Sequence, residues 1–320
     1  MNQLILHIFY LVAGVAALYY GAELLIKGGV AVARKAGVSP LVIGLTLVAF
    51  ATSAPELVVS VSAGLEGKPD IALGNIIGSN ICNIILILGL CGCIAPLPVE
   101  KKLFRFDLPV MVISALLLTI FCFRGAVIGF WQGALLFAGL IFYTVWSICI
   151  SRKEQSSAPE ESEKEASEKP LNVWLALLLV AAGLGVLVGG AKLFLWGAVY
   201  AAKLLHLSEA VIGLTVVAVG TSLPELATSV VAAVKGEQDI AIGNVVGSNI
   251  FNILGIIGIT SMVTPLGNYA INIVDLGVMM LCTVTLPVFM RTGWKISRIE
   301  GAVMLLAYCG YTAYLIFHHA

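Results

Sequence analysis

Charged residues are scarce in this sequence. Asp, Glu, Lys and Arg make up 11% of its 320 residues, whereas a soluble domain carries about 25%. Hydrophobic residues account for 60%, and several apolar runs exceed the ~20 residues that cross a bilayer. The composition excludes an ordinary soluble domain and indicates an all-α polytopic membrane protein surrounded by lipid. The formal net charge of zero says little about partners, and no nucleic-acid partner is expected.

Residue patterns for metal binding or disulfide bonding are also lacking. The four histidines form no cluster with acidic residues, and no His-Glu-x-x-His motif is present. The seven cysteines are odd in number, lie in or near apolar segments and lack the spacing of zinc ligands, which argues against a zinc site and a disulfide framework. We interpret them as small hydrophobic side chains and expect no resident cofactor and no enzymatic activity.

A long internal repeat organises the chain. Positions 42–85 and 211–254 align without a gap at an offset of 169 residues, and 27 of the 44 aligned positions are identical. A repeat of this length indicates two copies of one unit. It extends to the first span, so Leu4–Ile26 is not expected to be a signal peptide, because a cleaved leader would have no counterpart. Glycines match at the same offset in the first span of each half: Gly14 with Gly183, Gly21 with Gly190, and Gly28 with Gly197.

Each copy places one glutamate in the middle of an apolar segment. Glu56 lies in the run Leu41–Leu65, and Glu225 lies in the run Ala210–Val234. A charge in the bilayer interior costs roughly 2.5 to 3.5 kcal/mol on insertion scales, so such residues usually serve ions, protons or substrates. The alternative is a protonated glutamate bonded to a neighbouring helix, but two glutamates related by the repeat disfavour it.

The residues before each glutamate predict a break in the helix. The motif Thr-Ser-x-Pro-Glu begins at Thr52 and again at Thr221. Proline lacks an N–H and clashes with the carbonyl four residues earlier, so we expect the carbonyls of Ala51 and Gly220 to lose their helical partners. Carbonyl, hydroxyl and carboxylate oxygens at one break form a hard-oxygen site that suits Na⁺ or Ca²⁺. Alternatively, the hydroxyls only bond the freed carbonyls; they belong to Thr52, Ser53, Thr221 and Ser222.

The third span of each half is rich in small polar residues. Ser79 and Asn83 are four residues apart and share a helix face, and Ser248 with Asn252 repeats this pattern. These side chains either reach the cation site or form bonds between helices, which is a normal use of Asn and Ser in membranes. A helical period of about 3.6 residues points Asn80 in a different direction from Asn83. We therefore regard the remaining asparagines as weaker candidates: Asn75, Asn80, Asn244 and Asn249.

Other residues of these segments have structural interpretations. The Gly-x-x-x-Gly motifs that begin at Gly74 and Gly243 predict close helix packing. Asp70 and Asp239 are expected to cap helices rather than bind ions. No role is assigned to three further charged residues: Glu23, Lys192 and Asp275.

Ten spans are expected, five in each half. Residues 1–150 form the first five-helix repeat, residues 171–320 form the second, and residues 151–170 join them. The joining segment has six acidic residues, four basic residues and no aromatic residue, so it is predicted to be a flexible cytoplasmic linker. The predicted spans are Leu4–Ile26, Leu41–Leu65, Asp70–Ile94, Leu108–Phe123, Ala126–Ile150, Trp174–Ala201, Ala210–Val234, Ile240–Met262, Ile271–Met290 and Gly301–Phe317.

An odd number of spans per unit gives the two units opposite orientations in the membrane. With both termini outside, 14 of the 18 Lys and Arg residues fall on the inner side and 4 on the outer side. The positive-inside rule favours this topology. Inverted repeats with broken helices near the midplane are typical of secondary transporters. We expect ten transmembrane helices arranged as two inverted five-helix repeats in the cell (inner) membrane.

The duplicated motif resembles the α-repeats of the cation/calcium exchanger superfamily, in particular those of prokaryotic sodium/calcium antiporters. The resemblance rests on Gly/Ala-Thr-Ser-x-Pro-Glu followed by Gly-Asn-x-x-Gly-Ser-Asn-x-x-Asn in each half. It implies an inverted five-plus-five fold with a central cluster of cation sites, past which the first span of each half slides. It further implies a set of metal ligands: Glu56, Glu225, Thr52, Thr221, Ser53, Ser222, Ser79, Ser248, Asn83 and Asn252, with the carbonyls of Ala49 and Ala218.

One position departs from part of that family. Some members carry Asp where this chain has Asn252, and in the potassium-dependent branch this acid is associated with K⁺. Because both Asn83 and Asn252 are asparagines, the site is nearly symmetric and has one negative charge fewer than in those members. This departure argues against K⁺ co-transport.

The expected function is antiport of Na⁺ and Ca²⁺, with these ions as partners and no obligate protein partner. Two carboxylates match the charge of one Ca²⁺ or of several Na⁺. Without a bound cation, transfer of the site across the membrane is disfavoured, because desolvating bare charges is costly. A proton/calcium antiporter on the same fold is the near alternative, because protons also neutralise buried carboxylates. A cation channel fits less well, since channels need weak binding at several sites. An intramembrane metalloenzyme lacks its ligand motifs.

Overall fold

The computed structural model describes residues 2–123, 127–156, 171–204, 218–267 and 272–319 of the chain. Within these ranges the fold is helical apart from two short strands. Its helices are α1 (Asn2–Ala36), α2 (Pro40–Thr52), α3 (Ala54–Leu65), α4 (Pro69–Ile94), α5 (Asp107–Phe123), α6 (Phe130–Ser156), α7 (Val173–Leu204), α8 (Ala218–Thr221), α9 (Leu223–Val234), α10 (Gln238–Val263), α11 (Ile273–Arg291) and α12 (Arg298–His319).

The predicted spans correspond closely to these helices. In the described part of the chain, eight helices are long and apolar enough to cross a membrane, and the bent pair α2 and α3 forms one broken span. Helices α8 and α9 correspond to the second predicted broken span, Ala210–Val234, but positions 210–217 lie outside the described residues. Positions 157–170 of the predicted linker also lie outside the described residues. Its first residues, Ser151–Ser156, instead continue α6.

The first helices of the two halves, α1 and α7, pack closely and run antiparallel. A Cβ atom at Gly14 would lie 2.6 Å from the backbone nitrogen of Phe194, and one at Gly28 would lie 2.8 Å from the carbonyl oxygen of Ala176. Glycine at these positions lets the two backbones approach. Equivalent helices of the two halves therefore run in opposite directions, which is the relationship that an inverted repeat predicts.

The second span of the first half breaks between α2 and α3, whose axes differ by 46°. Ser53 lies at the break with φ −82° and ψ 7°. Pro55 follows in the first turn of α3, where proline is tolerated because its missing N–H would have no partner within the helix. The predicted break before Glu56 is confirmed.

The third helices, α4 and α10, lie in the core of the bundle, and residues 240–258 of α10 are all buried. Each contains a π-helical segment, Cys82–Ile87 in α4 and Phe251–Ile257 in α10. Such wider turns are rare and frequently occur at functional sites. They also shift the angular positions of the residues that they contain, so simple 3.6-residue periodicity fails there.

The prediction that aspartates cap these two helices is wrong. The N-cap residues are Lys68 for α4 and Glu237 for α10. Asp70 and Asp239 lie in the first turn of each helix, where a negative charge still interacts favourably with the helix dipole.

Loops that were predicted to be inner meet at one end of the bundle. Strands β1 (Leu97–Pro98) and β2 (Lys295–Ile296) pair antiparallel there. The Lys102 Nζ donates to the Ser39 hydroxyl at 3.4 Å, and the Arg152 Nε donates to the Ala36 carbonyl at 2.9 Å. At the other end, a bridge joins Ile128, which was predicted to lie at the start of the fifth span, to Leu266 in the loop after the eighth.

Candidate functional site

Glu56 and Glu225 occupy equivalent positions in the first turns of α3 and α9, and each side chain is 1% exposed. The break residue before each helix has nearly the same backbone geometry, since Ser222 has φ −86° and ψ 8°. The proline that follows allows a new helix to begin at once. Each break therefore places a carboxylate at the positive end of a helix dipole near the centre of the bundle.

The two halves exchange hydrogen bonds at these carboxylates. The Ser53 hydroxyl donates to Glu225 Oε1 at 2.8 Å, and the Ser222 hydroxyl donates to Glu56 Oε1 at 3.3 Å. Each half thus supplies a donor to the acid of the other half, so the two helix breaks meet at one place. The Ser222 hydroxyl also lies 3.3 Å from the Ser79 hydroxyl, which brings α4 to the same place.

The threonines of the motif lie beside the same carboxylates. Thr221 approaches Glu56, and Thr52 approaches Glu225. The Thr52 hydroxyl is also 3.3 Å from the Ala49 carbonyl, which accepts the Ser53 N–H at 3.0 Å. In this conformation the predicted carbonyl ligand is already hydrogen-bonded. In the other half, Ala218 corresponds to Ala49 and Thr221 corresponds to Thr52. These two residues are the first and last of α8.

Two asparagines hold the first turns of α3 and α9 against the third helices. The Asn75 amide donates to the Glu56 carbonyl at 3.3 Å and to the Ser60 hydroxyl at 3.0 Å. Asn244 makes the equivalent bond to the Glu225 carbonyl at 3.4 Å. These residues were weak candidates in the sequence, and their side chains support the backbone of the site.

Four further asparagines connect α4 to α10 across the two halves. The Asn83 amide donates to Asn249 Oδ1 at 3.3 Å, and the Asn252 amide donates to Asn80 Oδ1 at 3.0 Å. All four side chains are buried. Periodicity placed Asn80 and Asn249 away from the site, but each accepts a bond from a predicted ligand in a π-helical segment of the facing helix. The repetition of Gly-Ser-Asn-x-x-Asn in both halves was the available sequence signal for this pairing.

The predicted ligands retain buried oxygen atoms without partners. Among the described residues, no hydrogen-bond partner is found for the Glu56 Oε2, Glu225 Oε2, Asn83 Oδ1, Asn252 Oδ1 and Ser248 Oγ atoms. Buried polar atoms are nearly always hydrogen-bonded, and the chemistry of this set fits a positively charged partner. No group of three or more His, Cys, Asp or Glu residues suited to a metal occurs in the described ranges. The negative charge of the site therefore comes from two carboxylates, and the oxygens beside them are of the kind that hard cations prefer.

The two third helices differ in how their glycines pack. A Cβ atom at Gly243 would lie 2.6 Å from the Leu41 carbonyl of α2, which confirms close packing there. At Gly74 and Gly78, no described atom lies within 4 Å of such a Cβ atom, so the same prediction finds no packing partner among the described residues. A cavity adjoins these glycines and is lined by Asn75, Ser79, Cys82, Tyr308 and Tyr311. The predicted ligand Ser79, which is buried, thus borders this cavity.

A hydrogen bond between a tyrosine and an aspartate occurs in each half, and neither bond was predicted from the sequence. The Tyr143 hydroxyl donates to Asp107 Oδ1, and the Tyr311 hydroxyl donates to Asp275 Oδ1, each at 2.9 Å and each across 36 residues. These bonds join the fourth helix of each half to the fifth. Asp275, which had no assigned role, thus has a structural partner. The equal separation in both halves was the signal that could have revealed it.

Comparison with known proteins assigns the chain to a family. The family model described as sodium/calcium exchanger protein matches residues 6–149 and 175–317, one match in each half. The sodium/calcium exchanger MaX1 of Methanosarcina acetivorans is 32% identical over 345 residues, which cover 96% of this chain and 97% of the relative. The uncharacterized membrane protein MJ0091 of Methanocaldococcus jannaschii is 37% identical over 310 residues, covering 96% and 97%.

A solved structure is similar over nearly the whole chain. The sodium-calcium exchanger NCX_Mj, in crystals soaked with Na⁺ and Sr²⁺, superposes with a TM-score of 0.82 at 34% identity. The superposition covers 97% of this chain and 98% of that chain. With the crossed serine–glutamate bonds and the two matched halves, these likenesses establish that the chain belongs to the sodium/calcium exchanger family of the cation/calcium exchanger superfamily.

Proposed function

We propose that this protein is a secondary active antiporter that exchanges Na⁺ for Ca²⁺ across the cell membrane by alternating access. The observation that carries the proposal is the crossed bonding of Glu56 to Ser222 and of Glu225 to Ser53, beside oxygen atoms that have no partner in the described part of the chain. The family membership supports the same function, because relatives such as MaX1 are named sodium/calcium exchangers.

The charge of the site accounts for the exchange. Glu56 and Glu225 together carry two negative charges, which one Ca²⁺ or several Na⁺ would balance. Neutral oxygens would complete the coordination of these ions. An empty site would expose two bare carboxylates to a low dielectric, and desolvating them is costly. Passage of the site from one side to the other is therefore favoured only with a cation load, and this condition couples the two fluxes.

The remaining ligands are neutral oxygens on both sides of the carboxylates. The hydroxyls of Ser53 and Ser222 are already directed at the site. Small rotations would let them offer a lone pair to an ion. The full proposed set also includes Thr52, Thr221, Ser79, Ser248, Asn83 and Asn252, with the carbonyls of Ala49 and Ala218.

The proposed architecture has ten spans in two inverted five-helix repeats, with both termini outside and a cytoplasmic linker. The antiparallel contact of α1 with α7 supports the inversion. The meeting of the predicted inner loops at one end supports the topology. Glycines of both helices lie in this contact, and we propose that α1 and α7 slide past the core to alternate access.

The test is Ca²⁺ uptake into proteoliposomes loaded with Na⁺, compared with K⁺-loaded vesicles and with vesicles under an imposed pH gradient. Uptake that requires outward-directed Na⁺ supports the proposal. Uptake driven by the pH gradient alone would assign the same site to proton/calcium exchange. Flux without saturation or dependence on a counter-ion would indicate a channel.

A further inference from the structure

A cavity of about 430 Å³ lies at the bundle end where the predicted inner loops meet. It is formed by the C-terminal half of α1, the turn after α9 and Leu171, two residues before α7. Its walls include Lys27, Arg34, Lys35 and Lys235, with the acids Glu23 and Glu237. No part of the proposed cation site lines it.

The charge of this cavity is mainly positive. The Lys235 Nζ pairs with Glu23 Oε1 at 2.5 Å, so these two charges largely cancel. Lys27, Arg34 and Lys35 remain, opposed by Glu237 alone. All three of these bases are exposed, and spacings of seven and eight residues from Lys27 place them on one face of α1.

Apolar residues line the cavity beside these bases. Ile26 ends the apolar run of the first span, and Lys27 follows it directly. Ile26, Val30 and Leu171 line the cavity together with the bases. A cavity with a basic rim and an apolar wall at the membrane surface complements a molecule that has an anionic head and a hydrocarbon tail. Basic pockets on the cytoplasmic side of membrane proteins bind such headgroups.

We infer that this cavity binds one anionic phospholipid of the inner leaflet, with the phosphodiester headgroup between Lys27, Arg34 and Lys35. Free inorganic phosphate offers the same anion but no acyl chain to contact Ile26 and Val30. The lipid is therefore the expected occupant. Lys235 remains paired with Glu23 and holds α9 against α1 at the wall of the site.

The test is native mass spectrometry of the full-length protein in mild detergent. Phosphatidylglycerol and phosphatidylcholine with identical acyl chains are added in separate titrations. We expect one phosphatidylglycerol to be retained selectively and expect about tenfold weaker retention in the double variant Lys27→Gln/Lys35→Gln. The matched control is Arg291→Gln/Lys295→Gln, which removes two exposed bases that do not line the cavity and is expected to leave retention unchanged.

Three results would overturn the inference. Equal loss of phosphatidylglycerol in both double variants would indicate a general charge effect. Displacement of the lipid by inorganic phosphate would indicate a free-anion site. Selective binding that arises only after Glu160, Glu161, Glu163, Glu165 and Glu168 are changed to Gln would assign the cavity to the acidic linker. Because the readout is lipid binding, none of these results depends on which ions the protein transports.

Discussion

The Asn83 amide nitrogen donates a hydrogen bond to Asn249 Oδ1 at 3.3 Å, and this bond joins the third helices of the two halves. Because the nitrogen is engaged, the other end of the amide is turned away from Asn249, and Asn83 Oδ1 has no partner among the described residues. The repeat-related bond from Asn252 to Asn80 has the same consequence. One pair of asparagines thus orients the acceptor oxygens of the other pair.

The orienting role of Asn249 can be tested with Asn249→Leu, which removes the acceptor for Asn83. We expect the apparent Ca²⁺ affinity in proteoliposome uptake to fall about fivefold, because a net hydrogen bond contributes about 1 kcal/mol. Asn80→Leu should have the same effect through Asn252. Met111→Leu is the matched control, because it alters the sulfur beside the Asn249 nitrogen at 3.8 Å and leaves the bond to Asn83 intact. Unchanged affinity in Asn249→Leu would contradict the orienting role.

The two carboxylates should both be required for exchange. Glu56→Gln and Glu225→Gln keep the side-chain shape but each remove half of the negative charge that balances Ca²⁺. We expect Na⁺-dependent Ca²⁺ uptake to be abolished in each variant at equal reconstituted protein. Glu66→Gln is the control, since Glu66 is exposed in the turn after α3 and pairs with Lys68, and it should transport normally. Wild-type exchange in either site variant would rule out the assignment.

The crossed serine bonds should strengthen cation binding. Ser53→Ala leaves Glu225 Oε1 without the donor that lies at 2.8 Å. Hydrogen bonds to charged groups contribute roughly 1.5 to 3 kcal/mol, so the apparent Ca²⁺ affinity should fall by about tenfold or more. Ser222→Ala should act in the same way on Glu56. Ser62→Ala, on an exposed position of the same helix as Glu56, should have no effect, and a matching loss in that control would indicate a nonspecific defect.

The unequal packing of the two glycine motifs predicts unequal stability. Gly243→Ala forces a Cβ atom to 2.6 Å from the Leu41 carbonyl, and overpacking of this kind typically costs about 1 to 3 kcal/mol. We expect a lower unfolding temperature in detergent, measured as the fraction of monodisperse protein that remains after heating. Gly74→Ala is the repeat-related control and should leave this temperature nearly unchanged. Equal shifts in the two variants would show that α2 does not constrain α10 as described.

Residue types and their spacing along the chain are enough to predict the general plan of the protein. Scarce charge and long apolar runs require a helical membrane protein, because backbone polar groups in hydrocarbon must be bonded internally. The 169-residue repeat predicted two related halves, and proline after Thr-Ser predicted the break before Glu56. These features depend on local chemistry and on the pattern of the chain, so no tertiary contact was needed to infer them.

Which groups meet across the two halves depends instead on how the helices pack. Ser53 bonds Glu225 and not its own neighbour Glu56, because the inverted halves bring the two helix breaks face to face. Asn80 and Asn249 are joined to the predicted ligands Asn252 and Asn83 because α4 and α10 face each other across the two halves. Tyr311 donates a hydrogen bond to Asp275, which lies 36 residues earlier in the chain. Contacts of this kind depend on helix packing and local winding, which residue types and spacings along the chain do not specify.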